Sequence, residues 1–265
     1  MRKRTLLIAV AALPALALTS LTVAAQEGET ALLHAGTDIR DVQSLQRGAR
    51  NFMNYCSGCH SLTYLRYNRM GADLHLSDKE VADLMLTSDN AFDGINSSMP
   101  PADAAQWFGK QPPDLSLTAR NRGVDYIYSF LKGFYVDATR MWGVNNLYLP
   151  NAAMPAVLAD RQGLQKPVFK NESDPNGGAH MALVGVEPMS PGAVSPQEYD
   201  VLVRDITNFL DYASEPIKAK RESLGVFVML YEDTSKRSVF VSPSLTALYA
   251  ERSRSRAPRV RTPLR

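Results

Sequence analysis

The pentapeptide Cys56-Ser57-Gly58-Cys59-His60 constrains this chain more than any other feature, because it holds the only two cysteines in 265 residues. Two thiols at this spacing lie on one side of a helical turn, where each can add to a vinyl group of a porphyrin. The histidine after the second thiol can then bind the iron as an axial ligand. The pattern is typical of one covalently attached c-type haem, with Cys56 and Cys59 as anchors and His60 as a metal ligand.

Other uses of a Cys-x-x-Cys pair are a disulfide, half of a zinc site and a thioredoxin-like redox pair. A structural zinc site needs about four ligands, and none of the remaining histidines has a finger-like spacing: His34, His75 and His180. A redox pair is expected beside a βαβ pattern. Here the cysteines instead end a segment whose apolar residues share one helical face: Val42, Leu45, Ala49, Phe52, Met53 and Cys56. This context favours haem.

The N-terminus predicts export. Three basic residues follow the initial methionine, an apolar stretch runs from Leu6 to Val23, and Ala24 and Ala25 follow it. This order is typical of a cleaved secretory signal over residues 1–25. An uncleaved anchor is the alternative, because the stretch is close to the minimum of roughly 17 residues for a membrane span. In both cases we expect the remaining chain at the periplasmic face of a bacterial inner membrane.

The residues after the signal, about 240 of them, are enough for one well-cored domain. Four helices are predicted: one that ends at the haem motif, one that begins after Ser77, one from Gly123 to Phe134 and one that begins after Ser195. Ser77 and Ser195 are each followed three residues later by glutamate, as in a capping box. The sequence therefore predicts a mainly α fold.

Two long stretches predict irregular structure. Residues 93–113 are rich in Pro, Ser, Asn and Gly and are expected to form a loop. Residues 135–192 contain six prolines and six glycines, which predict a long irregular segment with one small hairpin. Together with the helices, these stretches predict a c-type cytochrome domain, with helices around one covalently bound haem and long irregular loops.

Several strings beyond the haem motif are specific. They are Tyr55 to Ser61 with Tyr64, Pro112-Pro113-Asp114-Leu115-Ser116, Ala119-Arg120, Asp125-Tyr126 and Asp211 to Pro216. From about Gly36 to Gly225 the chain resembles the cytochrome c1 family, the haem c subunits of the ubiquinol:cytochrome c oxidoreductase (bc1) complex. An insertion from Met99 to Lys110 resembles the proteobacterial branch of that family.

The resemblance implies an electron-transfer subunit that works beside cytochrome b. One electron would come from the Rieske iron–sulfur protein and pass through haem c to a soluble cytochrome c. Residues 5–233 contain 18 basic and 26 acidic residues, and such an acidic body suits the docking of a cationic acceptor. Enzyme activity would belong to the complex. The alternatives are a free periplasmic monohaem electron carrier and a haem enzyme or sensor with an open sixth site.

The residues alone leave the sixth iron ligand open among five methionines: Met99, Met141, Met154, Met181 and Met189. In the family this ligand is a methionine well downstream of the haem motif, and the matching residue is Met154, which precedes Pro155. Met99 also precedes a proline and is the second candidate. His180 as a second histidine ligand would depart from the family.

The resemblance assigns two more residues to the haem. Arg120 and Tyr126 match family positions that contact a haem propionate. Electron transfer requires no general acid or base, so no catalytic residue is expected. The sequence contains no nucleotide-binding or hydrolytic motif, and no nucleic-acid partner is expected.

The C-terminus departs from the family, whose members continue into a transmembrane helix after the haem domain, here residues 26–215. An apolar run from Leu224 to Tyr231 spans 8 residues, whereas a membrane span requires roughly 20. We expect residues 216–231 to be the truncated start of an anchor helix, with membrane contact through it or through partner subunits. Residues 232–265 form a basic, Ser/Arg-rich tail unlike the family, and an altered reading frame from near residue 231 is the alternative reading.

Overall fold

The structure is a computed structural model that describes residues 30–173 and 178–231. Its helices and strands follow in the order α1 (Val42–Tyr55), β1 (Leu62–Arg66), α2 (Tyr67–Asp73), α3 (Asp78–Leu84), β2 (Gly94–Ile95), α4 (Pro101–Phe108), α5 (Thr118–Arg122), α6 (Val124–Lys132), β3 (Phe134–Val136), β4 (Val144–Asn146), α7 (Ala159–Gln162), β5 (Gln165–Ser173), β6 (Ala179–Pro188) and α8 (Pro196–Ser214). The described residues from Leu32 onward belong to one compact unit. The mainly α prediction is confirmed. The predicted signal and the predicted tail lie outside the described residues.

Helix α1 carries the haem motif at its C-terminal end. Its first turn is capped by Asp41, whose carboxylate accepts a hydrogen bond from the backbone N–H of Ser44 at 3.0 Å. The predicted apolar face is buried, and only Val42 at its start is half-exposed: the buried members are Leu45, Ala49, Phe52, Met53 and Cys56. Burial of this face fixes the rotation of α1, and therefore the direction in which the motif leaves the helix.

Helix α8 crosses α1 at very short range. A Cβ atom placed on Gly48 would lie 2.1 Å from the carbonyl oxygen of Asp205 and 2.7 Å from the Cβ of Phe209. Close to the crossing, the rings of Phe52 and Phe209 contact each other with centroids 5.7 Å apart. The two helices can approach this closely only because residue 48 has no side chain.

A buried polar cluster reinforces the crossing. Asp205 is almost fully buried and accepts hydrogen bonds from Ser44 Oγ at 2.6 Å and from Arg47 Nε at 2.6 Å. The bond to Asp205 raises the pKa of the Arg47 guanidinium. Asn208 Nδ2 donates to Ser44 Oγ at 3.0 Å and to the carbonyl oxygen of Asp38 at 2.8 Å. Removing one partner of such a buried pair leaves an uncompensated charge, so the cluster specifies one register for the two helices.

The capping predictions for α3 and α8 are confirmed. Ser77 and Ser195 each accept a hydrogen bond from the backbone N–H of the glutamate three residues later, and each glutamate side chain bonds back to the N–H of its serine. Helix α6 occupies most of the segment from Gly123 to Phe134 that was expected to be helical. Local sequence signals place these ends because a capping box satisfies backbone donors within one turn.

The loop prediction for residues 93–113 is wrong in part. This stretch contains β2, which pairs with β1, and the helix α4. Pro101 is the first residue of α4, where a missing N–H costs nothing, and Gly109 ends the helix with a left-handed φ of 74°. Part of the proline and glycine content therefore marks the two ends of a helix, and the rest of the stretch is irregular as expected.

The prediction for residues 135–192 is also wrong in part. Strands β3 and β4 pair in antiparallel register, with Phe134 opposite Asn146. Strands β5 and β6 form a hairpin of 9 and 10 residues with an irregularity at Val168 and Phe169. The one small hairpin that was expected is therefore a long one, and it follows a second antiparallel pair. Between β4 and β5 the chain is irregular except for the single turn of α7.

Residues 218–231 are helical, as far as the described chain reaches. Large apolar side chains of this segment are exposed: Leu224, Val226, Phe227, Val228, Met229, Leu230 and Tyr231. Within the described residues, the structure contains no helix that is both long and apolar enough to cross a membrane. The interpretation of residues 216–231 as the start of an anchor helix stays a prediction.

Candidate haem-attachment site

The haem motif continues directly from α1 as a hydrogen-bonded turn. The backbone N–H groups of Cys59 and His60 donate to the carbonyl oxygen of Cys56 at 3.0 and 2.8 Å. The hydroxyl of Ser57 is buried and donates to the carbonyl oxygen of Met53 at 2.7 Å. These bonds satisfy the end of the helix and hold the two cysteines on one turn, as two thioether bonds to a single porphyrin require.

Both cysteines are free thiols, so the disulfide alternative does not apply to this structure. Cys56 is buried and Cys59 is half-buried. Burial, together with the neighbouring Cys59, raises the pKa of the Cys56 thiol to about 12, and burial also raises the pKa of Cys59. In residues 30–173 and 178–231, no group of three His, Cys, Asp or Glu side chains is arranged to hold a metal ion.

The His60 imidazole is oriented by a backbone carbonyl. Its Nδ1 lies 2.8 Å from the carbonyl oxygen of Pro113, and because a carbonyl can only accept, Nδ1 must carry the proton. Nε2 therefore keeps its lone pair for a metal, and such a bond to the far nitrogen is the usual orienting contact of a ligating histidine. Burial lowers the pKa of His60, although the bond to Pro113 and the charge of Asp114 oppose it. The neutral ring is the form that binds iron.

The string from Pro112 to Ser116 fastens this carbonyl to strand β1. Asp114 accepts hydrogen bonds from the Thr63 N–H at 3.0 Å and the Thr63 hydroxyl at 2.5 Å. Ser116 Oγ accepts from the N–H of Tyr64 at 3.2 Å. Partial burial opposes ionisation of Asp114, but bonds from Ser116 and Thr63 outweigh it and lower its pKa. These hydrogen bonds therefore fix the position of the Pro113 carbonyl beside His60.

Met154 lies in the irregular segment between β4 and α7. It is half-buried and packs against the same apolar core to which Cys56 belongs. Three rival methionines are largely solvent-exposed, at 81% for Met141, 61% for Met181 and 55% for Met189. Among the five candidates, packing thus favours Met154. Met99 is half-buried in the segment that precedes α4.

Two buried asparagines hold the chain before Met154. Asn146 Oδ1 accepts from the N–H of Tyr148 at 2.9 Å, and its Nδ2 donates to the carbonyl oxygen of Phe130 at 2.8 Å. Asn145 Oδ1 accepts from the N–H of Asn151 at 2.8 Å. Asn151 has a left-handed φ of 66°, which asparagine tolerates better than most residues. The segment that presents Met154 is thus anchored on α6 although it has no regular secondary structure.

Arg120 and Tyr126 lie on the adjacent helices α5 and α6. Tyr126 is half-buried, its ring lies 6.2 Å from that of Phe130, and the guanidinium of Arg122 stands 5.0 Å above it. Arg120 is exposed, and its side chain makes no hydrogen bond or ion pair with any described residue. The Glu215 carboxylate has a lowered pKa, mainly from its hydrogen bond with Arg221, and the charge of Arg120 contributes to this lowering. The geometry therefore brings Tyr126 to the common core and leaves Arg120 at the surface.

Some residues that shape the site carry no signal in the sequence. The carbonyl of Pro113 cannot be recognised as a partner of His60 from spacing, although the string around it is distinctive. The pair Asn145 and Asn146 precedes an ordinary Leu-Tyr-Leu-Pro stretch, and nothing marks its amides as buried. The only sequence signal for this role was the pair of consecutive asparagines shortly before Pro150.

These features fit a covalently bound haem. Cys56 and Cys59 lie on one turn, and the neutral His60 imidazole has an unprotonated Nε2 whose lone pair can bind a metal. The thioether of Met154 packs on the same core. A mainly helical domain that encloses such a motif is a c-type cytochrome.

Comparison with known proteins specifies the family. The sequence model of the Cytochrome C1 family matches residues 35–242. Cytochrome c1 of Allochromatium vinosum is 47% identical over 208 residues, which cover 78% of this chain and 84% of that protein. The Nitrosomonas europaea protein named ammonia monooxygenase gamma subunit is 37% identical over 204 residues, covering 77% and 82%. Cytochrome c1 of Rhodospirillum rubrum is 26% identical, covering 72% and 76%.

The chain belongs to the cytochrome c1 family. Members of this family carry covalently bound haem c and are the electron-transfer subunits of the membrane-associated bc1 complex, an oxidoreductase. The recognition of the family and of its cofactor from the sequence is confirmed.

Proposed function

We propose that this chain accepts one electron from a Rieske iron–sulfur protein and delivers it to a soluble cytochrome c. It would do so beside cytochrome b, at the periplasmic face of a bacterial inner membrane. The observation that carries the proposal is the orientation of His60, whose Nδ1–H is held by the Pro113 carbonyl within a string typical of the family. Bound haem would supply a one-electron redox centre. The enzyme activity would be that of the assembled complex.

The residues of this chain would hold that centre in six-coordinate form. Cys56 and Cys59 would anchor the porphyrin, His60 Nε2 would bind one face of the iron and Met154 Sδ the other. A soft thioether ligand raises the reduction potential relative to a second histidine. A site closed on both faces transfers electrons and excludes external ligands, which separates this function from a haem enzyme or sensor with an open sixth position.

Arg120 and Tyr126 are proposed as the contacts of a haem propionate. The position of Tyr126 on the common core supports its part. Arg120 has no competing ion pair among the described residues, so its guanidinium is available to a carboxylate outside the chain. Residues 26–215 would form the haem domain, and contact with the membrane would come from partner subunits or from residues 216–231.

Replacement of Met154 by leucine tests the sixth ligand. Leucine keeps an apolar side chain of similar size but removes the sulfur, so the weak near-infrared band of methionine-to-iron ligation should disappear. The reduction potential should fall by on the order of 0.1 V, well inside the roughly 0.8 V range that axial ligands span. The ferrous protein should also bind carbon monoxide. A spectroelectrochemical titration of the holoprotein measures the band and the potential, and a carbon monoxide titration of the reduced holoprotein measures the third.

The matched control is Met99→Leu, which removes the sulfur of the second candidate. It should leave the near-infrared band, the potential and the resistance to carbon monoxide unchanged. Loss of the band in Met99→Leu but not in Met154→Leu would show that the ligand was assigned to the wrong methionine.

Isolation of the chain from membranes tests the partners. An affinity tag on this protein should recover b-type haem and a Rieske centre in fixed ratios to haem c, and ubiquinol should reduce the haem c. Absorption and electron paramagnetic resonance spectra of the purified material give these ratios. Recovery of haem c alone, from the soluble periplasmic fraction, would support the free electron carrier instead.

A further inference from the structure

A side-chain hydrogen bond joins the segment after Met154 to the residue that precedes the haem motif. Arg161, in α7, donates a hydrogen bond from Nε to the hydroxyl oxygen of Tyr55 at 2.7 Å. The guanidinium carbon also lies 5.9 Å from the centre of the Tyr55 ring. Tyr55 is the last residue of α1 and immediately precedes Cys56. The contact therefore connects the two parts of the chain that would bind opposite faces of the iron.

The path from Met154 to Arg161 is short and internally hydrogen-bonded. The N–H of Val157 donates to the carbonyl oxygen of Pro155 at 2.9 Å. The N–H of Arg161 donates to the carbonyl oxygen of Leu158 at 3.0 Å. The Leu158 side chain is buried. Arg161 is therefore connected to Met154 by a short, hydrogen-bonded stretch of chain.

Helix α7 is fixed to the domain by other contacts as well. Gln162 Nε2 donates to the carbonyl oxygen of Lys132 at 3.2 Å, and Gln162 Oε1 accepts from the hydroxyl of Tyr199 at 3.2 Å. The carbonyl oxygen of Asp160 accepts from the N–H of Ala193 at 2.8 Å. These bonds dock α7 on α6 and α8 without involving the haem motif. Arg161 is thus not needed to hold α7 in place. Its contact with Tyr55 instead connects α7 to the end of α1, where the haem motif begins.

We propose that Arg161 is a positioning residue, which through Tyr55 sets the separation between Met154 and the haem motif and so strengthens methionine ligation. The proposal rests on the proposed function, because it takes Met154 as the sixth ligand. Groups that orient a metal ligand from outside the coordination sphere typically contribute about 10- to 100-fold to its binding. Arg161 and Tyr55 are both partly exposed, so the lower end of that range is expected.

Competition with carbon monoxide measures the strength of ligation in the full holoprotein. Arg161→Ala should raise the apparent affinity of the ferrous protein for carbon monoxide about tenfold. Tyr55→Phe, which keeps the ring and loses only the hydroxyl, should also raise the apparent affinity for carbon monoxide. Arg161→Lys, which can still donate to the hydroxyl, should return part of the way to the unmodified protein. The double variant Arg161→Ala with Tyr55→Phe should exceed neither single variant by much, because both remove one interaction.

The control is Gln162→Ala, which loosens α7 on its other side. It should lower the urea midpoint of the holoprotein and leave the affinity for carbon monoxide unchanged. An equal rise in Gln162→Ala and Arg161→Ala would overturn the proposal, since general loosening of α7 would then explain both. The conservative Tyr55→Phe keeps the test decisive if Arg161→Ala does not fold.

The ligand assignment and the positioning role fail in different ways. If Met154→Leu itself leaves carbon monoxide excluded, the assignment of Met154 is wrong and this proposal is overturned with it. If Met154→Leu opens the site while Arg161→Ala and Tyr55→Phe behave like the unmodified protein, the ligand stands and the positioning role is wrong.

Discussion

Simultaneous replacement of Cys56 and Cys59 by serine is expected to remove covalently bound haem from the protein entirely. The chain has no other cysteine, so no second site can form a thioether. Cys56 and Cys59 form no disulfide and lie on one turn beside His60, where both can bond to one porphyrin. After denaturing electrophoresis, the band of the native protein should stain for haem peroxidase activity, and the band of the double variant should not.

A suitable control is Ser57→Ala in the same turn. It removes the buried bond from the Ser57 hydroxyl to the Met53 carbonyl but leaves both thiols and His60 in place. The stained band should persist, although stability should fall by about 1 kcal/mol for the lost hydrogen bond. Haem that extracts from the native protein into acidified acetone would contradict covalent attachment.

Local patterns predicted the parts of the fold that depend on one turn or one face. The apolar face of α1 is buried as its spacing requires, and the boxes at Ser77 and Ser195 cap α3 and α8. The haem motif itself is local, since five consecutive residues contain both predicted anchors and one predicted ligand. Such features are accessible from sequence because the interacting atoms lie within about one helical turn of each other.

Features made by distant residues were not accessible in the same way. Tyr55 and Arg161 are 106 positions apart, and His60 and Pro113 are 53 apart. Which methionine approaches the haem motif is likewise a property of packing, so the residues alone left five candidates and the family resemblance was needed to choose. Helix α4 was missed for another reason: the Pro, Ser, Asn and Gly content of residues 93–113 was taken to indicate a loop, whereas Pro101 stands at the first helical position, where proline is favoured.

The crossing of α1 and α8 combines both kinds of information. The apolar periodicity of each helix predicts that it has a buried face, but not which residues meet. In the sequence, Gly48 is an ordinary glycine within a predicted helix, where it slightly lowers the stability of that helix. The structure assigns it the point of closest approach to Asp205 and Phe209. This assignment reverses the usual expectation for a substitution at a helical glycine.

Gly48→Ala is therefore expected to destabilise the protein, although alanine is normally favoured over glycine inside a helix by about 1 kcal/mol. The new Cβ would lie 2.1 Å from the carbonyl oxygen of Asp205, and a backbone atom cannot move aside as a flexible side chain can. The helices would have to separate, which would disturb the Phe52–Phe209 contact and the bonds of Asp205. For Gly48→Val we expect the free energy of unfolding to fall by about 3 kcal/mol or more, a large fraction of the roughly 5–15 kcal/mol of a typical domain.

Urea denaturation of the holoproteins, followed by far-ultraviolet circular dichroism, measures the effect. Gly225→Ala is the matched control, because Gly225 is also helical and a Cβ there would meet nothing within 4 Å. It should leave the midpoint unchanged or raise it slightly. The rank order should be Gly225→Ala, then Gly48→Ala, then Gly48→Val, from most to least stable. A Gly48→Ala protein as stable as the native one would mean that α1 and α8 do not pack as closely as the structure places them, and the register set by the Asp205 cluster would then need a different explanation.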